Sequence, residues 1–262
     1  MDALVVIRTY LRLGILNVVQ YRADFFLQVI SIVIGLGAAL LALGVVFGQT
    51  EQVGGWTQTD LVALIGIQML VRGLISLVVR PSMVHLMEGI RQGTLDFMLT
   101  KPADSQLLAS VAQVNVAAIA DVAAGIGVLA FALVSLGDSI GLAEAAGFAL
   151  VLLAGLVIIY SFLLLLSTCA FWFVKLDNIL VIFNTMFDGA GSWPITIYPG
   201  WMRVSLTFVI PVAFAITIPA QSLTGRLTPG VAIGAVALAV GFAVGARWFW
   251  RFGLKHYTGA SA

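Results

Sequence analysis

The sequence predicts an all-α integral membrane protein. Six transmembrane helices are expected, with an amphipathic helix ahead of the first, a short cytoplasmic helix after the second and an outer re-entrant hairpin before the last. Three observations carry this. Apolar residues make up 61% of the 262-residue chain and charged residues 10%, where a soluble domain carries about 25% charge. The apolar residues gather in runs long enough to cross about 30 Å of hydrocarbon at 1.5 Å per residue. Arg8, Arg12, Arg22, Arg80, Arg91, Lys101 and Lys175 fall on one side, while the loops after the first and third spans carry acids and no Lys or Arg, a positive-inside pattern.

So few charges cannot wet the surface of a globule, which excludes a soluble enzyme. Disorder needs low hydrophobicity and high net charge. A net charge of +1 says nothing about nucleic acid or acidic partners; no nucleic-acid partner is expected, and membrane lipid is the expected surrounding. The chain reads as a single transmembrane domain over 1–262, with spans that leave no room for a second folded domain. An energy-supplying or catalytic domain is therefore expected on another chain. One cysteine, Cys169, and two histidines, His85 and His256, give neither an intrachain disulfide nor a zinc or iron cage.

In residues 1–22, Leu4, Ile7, Leu11, Ile15 and Val18 share one helical face, flanked by Arg8 and Arg12 and opposed by Thr9, Asn17 and Gln20. That pattern suits a helix lying in the cytoplasmic interface. The plainer alternative is the cytoplasmic start of a long first span. Spaced arginines and the long apolar run that follows argue against a cleavable signal.

Spans are expected at about 25–48, 60–80, 105–136, 144–172, 176–193 and 228–250. The loop 49–59 is polar and rich in Gly. The segment 194–225 is rich in Pro and aromatics, and Pro211 and Pro219 each remove a backbone donor. Broken backbone is tolerated at membrane depth where protein or a wet cavity satisfies it, so 204–225 is expected to dip in and return. Arg247, Arg251 and Lys255 then fall inside with Arg80, Arg91, Lys101 and Lys175, and both termini are cytoplasmic. A full crossing by 204–225 would give seven spans and put the C-terminal basic residues outside. Gly44-x-x-x-Gly48, Gly230-x-x-x-Gly234 and Gly241-x-x-x-Gly245 permit close helix approach.

Few residues can carry chemistry. No P-loop is present, nor any Cys-His or Ser-centred hydrolase motif, so this chain is not expected to hydrolyse ATP itself. Arg72 falls within the second span, where a charge costs about 2.5–3.5 kcal/mol and usually faces a bundle interior or a water path. Gln68, Arg72 and Ser76 recur every four residues and form one polar stripe. Two readings stand: a stripe lining a wet path, or half of a structural ion pair with Asp121 or Asp188. Asn184 and Asp188 give the fifth span a similar stripe. Interhelical hydrogen bonding is its plain explanation, and an aqueous path shared with the second span is the sharper one.

Between spans two and three, Ser82 can cap a short helix running to about Ile90 or Arg91. Glu88, Ile90, Arg91, Gly93, Leu95, Asp96 and Phe97 put apolar and charged side chains on a cytoplasmic loop. That surface suits a docking site for another protein, or a helix on the membrane surface.

The order and spacing of several short motifs resemble a permease of the type-2 ABC exporter superfamily, in the branch with viologen and drug efflux permeases. They are 20–25 (QYRADF), Gly54-Gly55-Trp56, 68–73 (QMLVRG), 90–99 (IRQGTLDFML) with Lys101-Pro102, Phe171-Trp172-Phe173, 198–201 (YPGW), and 207–211 (TFVIP) with Pro219-Ala220. The likeness covers essentially the whole chain. It implies six spans with a connecting helix over 1–22, a coupling helix within 80–104 and outer re-entrant helices within 194–225. It also implies a second permease, the same chain or a homologue, and two separate ABC ATPase subunits that hold ATP and magnesium. The permease itself binds no cofactor. The resemblance puts the cargo path along spans two and five, here Gln68, Arg72, Ser76, Asn184 and Asp188, in the cytoplasmic membrane of a prokaryote. Short outer loops favour small amphipathic, cationic or lipid-like cargo. The alternative, a stand-alone secondary transporter or channel, predicts matching broken helices in the two halves, and only the second half has them.

Overall fold

A computed structural model describes residues 22–136, 141–173 and 177–257. The segment expected to form the interfacial helix lies outside them, apart from Arg22 at the first turn of α1 (Arg22–Phe47). After a Gly-Gly turn come α2 (Gln58–Leu74), a π-turn (Ile75–Val79) and α3 (Arg80–Gln92). Short helices α4 (Leu95–Leu99) and α5 (Ser105–Ser110) lead to α6 (Ile119–Leu136) and α7 (Leu142–Thr168). Then follow α8 (Asp177–Gly191), α9 (Gly200–Val204), α10 (Val212–Ala215), α11 (Thr217–Leu223) and α12 (Pro229–Leu254). No strand occurs among the described residues. Five stretches are long and apolar enough to cross a membrane: Phe25–Phe47, Gln58–Gln92, Val116–Ser135, Glu144–Phe171 and Pro229–Leu254. The chain is an all-α, multi-pass membrane protein. At 15 residues α8 rises only about 22 Å on its own.

Two departures from the sequence reading share one cause. Ser82 does not cap a separate helix, because Gln58–Gln92 runs on as one 35-residue stretch. Pro81 has no N–H for the carbonyl of Leu77 four residues earlier, and the Asn115 N–H donates to that carbonyl instead, at 2.8 Å. The Ser82 hydroxyl donates to the Gln113 carbonyl at 2.9 Å and accepts from the Gln113 N–H at 3.1 Å. The same bonds break the stretch 105–136. Its backbone leaves the helix after Ser110 and re-forms one at Ile119, and the groups of Gln113 and Asn115 freed between them bond to α3 and to the π-turn.

The tightest packing is α2 against α6. A Cβ on Gly66 would come within 2.8 Å of the Leu129 backbone N, and one on Gly125 would strike the backbone of Leu70. These helices touch backbone to backbone, which only glycine permits here. Among the described residues, no neighbouring element lies within 4 Å of a Cβ at Gly44, Gly48, Gly230, Gly234, Gly241 or Gly245, so none of the three Gly-x-x-x-Gly pairs makes such a contact there.

The bundle has two sewn ends. At one, Thr57 and Asp60 form a capping box at the start of α2. Arg226 donates to Asp60 at 2.7 Å and lies over the Trp56 ring, and the Trp56 indole N–H donates to Thr196 at 3.1 Å. At the other end the Trp250 indole N–H donates to Ser105 at 3.2 Å, and Arg247 binds Asp104 and Gln106, both at 2.9 Å.

Residues 200–223 bend by 72° between Val209 and Val212. Both flanks of this segment sit at the Trp56 end, through Thr196 and Arg226. Its inner limb runs along α7, with Phe214 and Ala215 against Gly155 and Ser222 beside Gly147, a span of about 12 Å along that helix. The chain therefore enters partway and returns to the same end.

Candidate functional site

The polar stripe of α2 depends on the π-turn. A four-residue step along an α-helix overshoots a full turn by about 40°, so a straight helix would swing Arg80 roughly 120° away from Gln68. A π-turn takes more residues per turn, and the step across Ile75–Val79 reverses part of that drift. Gln68, Arg72, Ser76 and Arg80 consequently all face one cavity of about 400 Å³. Gln28 and Ser31 of α1, Asp121 of α6, Asp188 of α8 and Ser192 just beyond it complete its polar lining.

The structure selects Asp121 as the partner of Arg72: the guanidinium donates to Oδ1 at 3.0 Å. The Gln28 amide donates to Oδ2 of the same carboxylate at 2.6 Å. The Asp121 side chain is 5% exposed and that of Arg72 is 37% exposed, so the pair is rooted in protein on the acid side and open to the cavity on the basic side. Of the two acids considered from the sequence, Asp121 pairs with Arg72 and Asp188 does not. Asp188 contributes its carbonyl to structure, accepting from Gln68 Nε2 at 2.8 Å and from the Ser192 hydroxyl at 2.8 Å. Its carboxylate lines the cavity without a hydrogen-bond or ion-pair partner among the described residues. Gly191 lies against the tip of the Ile216 side chain and Gln68 Nε2, which brings α8 and the re-entrant limb onto the stripe. Asn184 is half-buried one turn earlier and does not line the cavity.

Gln28, Arg80 and Ser192 join the site without having been singled out from the sequence. Gln28 is the first polar residue inside an otherwise apolar run, and Arg80 continues the four-residue spacing of the stripe. Those were the available signals.

At the Trp250 end, Gly93 closes α3 in the left-handed conformation (φ 71°) and turns the chain into α4. The apolar side chains expected on this docking surface, Ile90, Leu95 and Phe97, do not all face outward. Leu95 is buried and Ile90 half-buried against this chain's own core, whereas Phe97 is 75% exposed. Leu99 and Lys101 are exposed near it, as are Glu88 and Arg91 on α3. Glu88 accepts from Gln92 at 2.8 Å. Asp96 is half-buried beside Tyr257, and burial, with that carboxylate adding to it, pushes the Tyr257 phenol up.

Among the described residues no group of three or more metal-ligating side chains converges. What the cavity can do is bind and orient a small polar or charged group within an apolar bundle. No curated protein and no solved structure matches the chain. A family model described as ABC-2 family transporter protein matches residues 33–261. With most of its length under that match and five stretches long and apolar enough to cross a membrane, the chain belongs to the ABC-2 family of membrane transporters, as an ABC permease.

Proposed function

We propose that this chain is the transmembrane subunit of an ATP-driven exporter, akin to the drug efflux permeases. It works with a second permease and with separate ABC ATPase subunits in the cytoplasmic membrane of a prokaryote. The observation that carries the reading is the ionic cavity: Arg72, Asp121 and Asp188 meet inside an apolar bundle and leave about 400 Å³ open between four helices. Charges at that depth are costly and mark a substrate path more often than a scaffold.

The Trp250 end is assigned to the cytoplasm, because Arg80, Arg91, Lys101, Arg247, Arg251 and Lys255 follow it. The contact of Arg247 with Asp104 supports a cytoplasmic C-terminus by tying the end of α12 to that side. The exposed Phe97 and Leu99, rimmed by Glu88 and Lys101, are the proposed ATPase dock. Buried aromatic anchors dominate such interfaces. The lipid-facing sides of α1 and α12 are open to a second permease. Cargo is small and amphipathic. Two arginines balance two aspartates in the lining, so the cavity gives no support to a preference for cations.

Purified alone, the chain should not turn over ATP, and turnover should appear with a co-expressed nucleotide-binding subunit. Phe97→Ala should weaken co-purification with that subunit more than Glu88→Ala. Robust ATP hydrolysis by the chain alone, free of contaminating ATPase, would contradict the reading.

A further inference from the structure

A second cavity, of about 480 Å³, lies toward the Trp250 end and is lined by His85, Glu88, Gln113 and Asn115 among others. It shares three lining residues with the ionic cavity: Gln28, Ser76 and Arg80. These three are the threshold between an outer and an inner chamber. We propose that Arg80 is a charge filter at this threshold, admitting anionic or zwitterionic groups in preference to cations. This inference rests on the reading of the inner cavity as a cargo route and deepens it.

Arg80 is the charged member of the three. The Gln28 amide is committed to Asp121, and Ser76 carries no charge. The Arg80 side chain makes no hydrogen bond or ion pair among the described residues, in contrast to Arg72, which Asp121 holds. A guanidinium does not lose its proton at ordinary pH, so its charge is permanent. Its depth fits the role. Arg80 lies 22 residues beyond the start of α2 at Gln58, about 33 Å along the stretch, where the hydrocarbon core of about 30 Å ends. A charge in a narrow, low-dielectric wall concentrates ions of the opposite sign and repels those of its own.

Of the acids nearby, Glu88 is exposed and hydrogen-bonded to Gln92, Asp121 is paired with Arg72, and Asp188 attracts Arg80 from within the inner chamber but does not line the outer one, so an ion arriving through the outer chamber meets Arg80 first. The sequence alone hides the role, because Arg80 reads there as an ordinary inside-flanking arginine.

The test uses the full chain with Cys169→Ala, carrying Ser192→Cys as reporter of the inner chamber or His85→Cys as reporter of the outer one. Anionic sulfonatoethyl and cationic trimethylammonioethyl methanethiosulfonates are applied from the cytoplasmic side of inside-out vesicles. The anionic-to-cationic rate ratio at Ser192→Cys, normalised to that at His85→Cys, should favour the anion. Arg80→Gln should lower it about tenfold, while Arg80→Lys should keep it. An unchanged ratio in Arg80→Gln overturns the filter and leaves the permease reading intact. Failure of both reagents to reach Ser192→Cys, with His85→Cys reacting normally, overturns the filter and the cargo route together.

Discussion

The spans Gln58–Gln92 and Pro229–Leu254 are both long apolar stretches, yet they occupy opposite environments. The most apolar window of the first is 61% buried in protein, that of the second 17%, and that of Phe25–Phe47 only 11%. The first carries Arg72 and meets Asp121 of α6, whereas α12 is free of charge until Arg247. Lipid tails are as apolar as leucine, so hydrophobicity alone cannot place one span inside the bundle and another at its edge. Charge can, because an ion in hydrocarbon must find partners. The helix that pays for a charge is the helix the bundle closes around, and its glycines then serve packing.

The glycines should give the largest effect. Gly125→Leu would drive a side chain into the backbone of Leu70 and should cost ~3 kcal/mol or more of stability. Gly241→Leu meets nothing within 4 Å and should stay within about 0.5 kcal/mol. Thermal unfolding of the purified proteins in detergent checks both. Equal losses would mean that α12 is as enclosed as α2.

Within α12 the contrast should repeat on a smaller scale. Trp250 is fully buried and its indole N–H is bonded to Ser105, whereas Trp248 is exposed. Trp250→Ala should cost roughly 2–3 kcal/mol. That is below the range for soluble cores, since the lost contacts are exchanged for lipid rather than water. Trp248→Ala should be nearly silent by the same assay.

The smallest effect belongs to the half-exposed ion pair at the same end. The hydrogen bond from Arg247, against a smaller opposing effect of burial, holds the Asp104 carboxyl below its ordinary value of 3.8. A depressed carboxyl stabilises the fold above its unfolded pKa and loses that contribution as pH falls through the folded one. Asp104→Asn should therefore cost at most about 1 kcal/mol at neutral pH. The difference from the parent protein should begin to shrink as pH drops below about 4 and vanish only below the depressed folded value, as acid titration of thermal stability would show.

Five spans were legible because long runs with few or no charges mark hydrocarbon whatever the tertiary structure. Arg72 and Asp121 were legible as a candidate pair because their cost demands a partner, while the choice between Asp121 and Asp188 required the positions of α6 and α8. The π-turn was hidden: Pro81 reads as a helix boundary, and only the Asn115 N–H, far along the chain, lets the helix continue past it. With the π-turn hidden, the four-residue spacing of Arg80 from Ser76 did not show that it still faces the stripe after a full 12-residue drift from Gln68. The glycine pairs misled for a related reason. Spacing shows which glycines share a face, and whether that face meets a helix or lipid is decided by the rest of the bundle.

The central claim is that the α2 stripe lines a wet route instead of merely bracing the bundle, and Arg72 tests it most directly. Removing Arg72 leaves Asp121 with its bond from Gln28 and with the open cavity beside it. Arg72→Ala should therefore fold and express close to the parent protein, while the assembled transporter loses or alters its transport-coupled ATP turnover. Poor expression of Arg72→Ala, restored by adding Asp121→Asn, would contradict the claim and make the pair a structural brace.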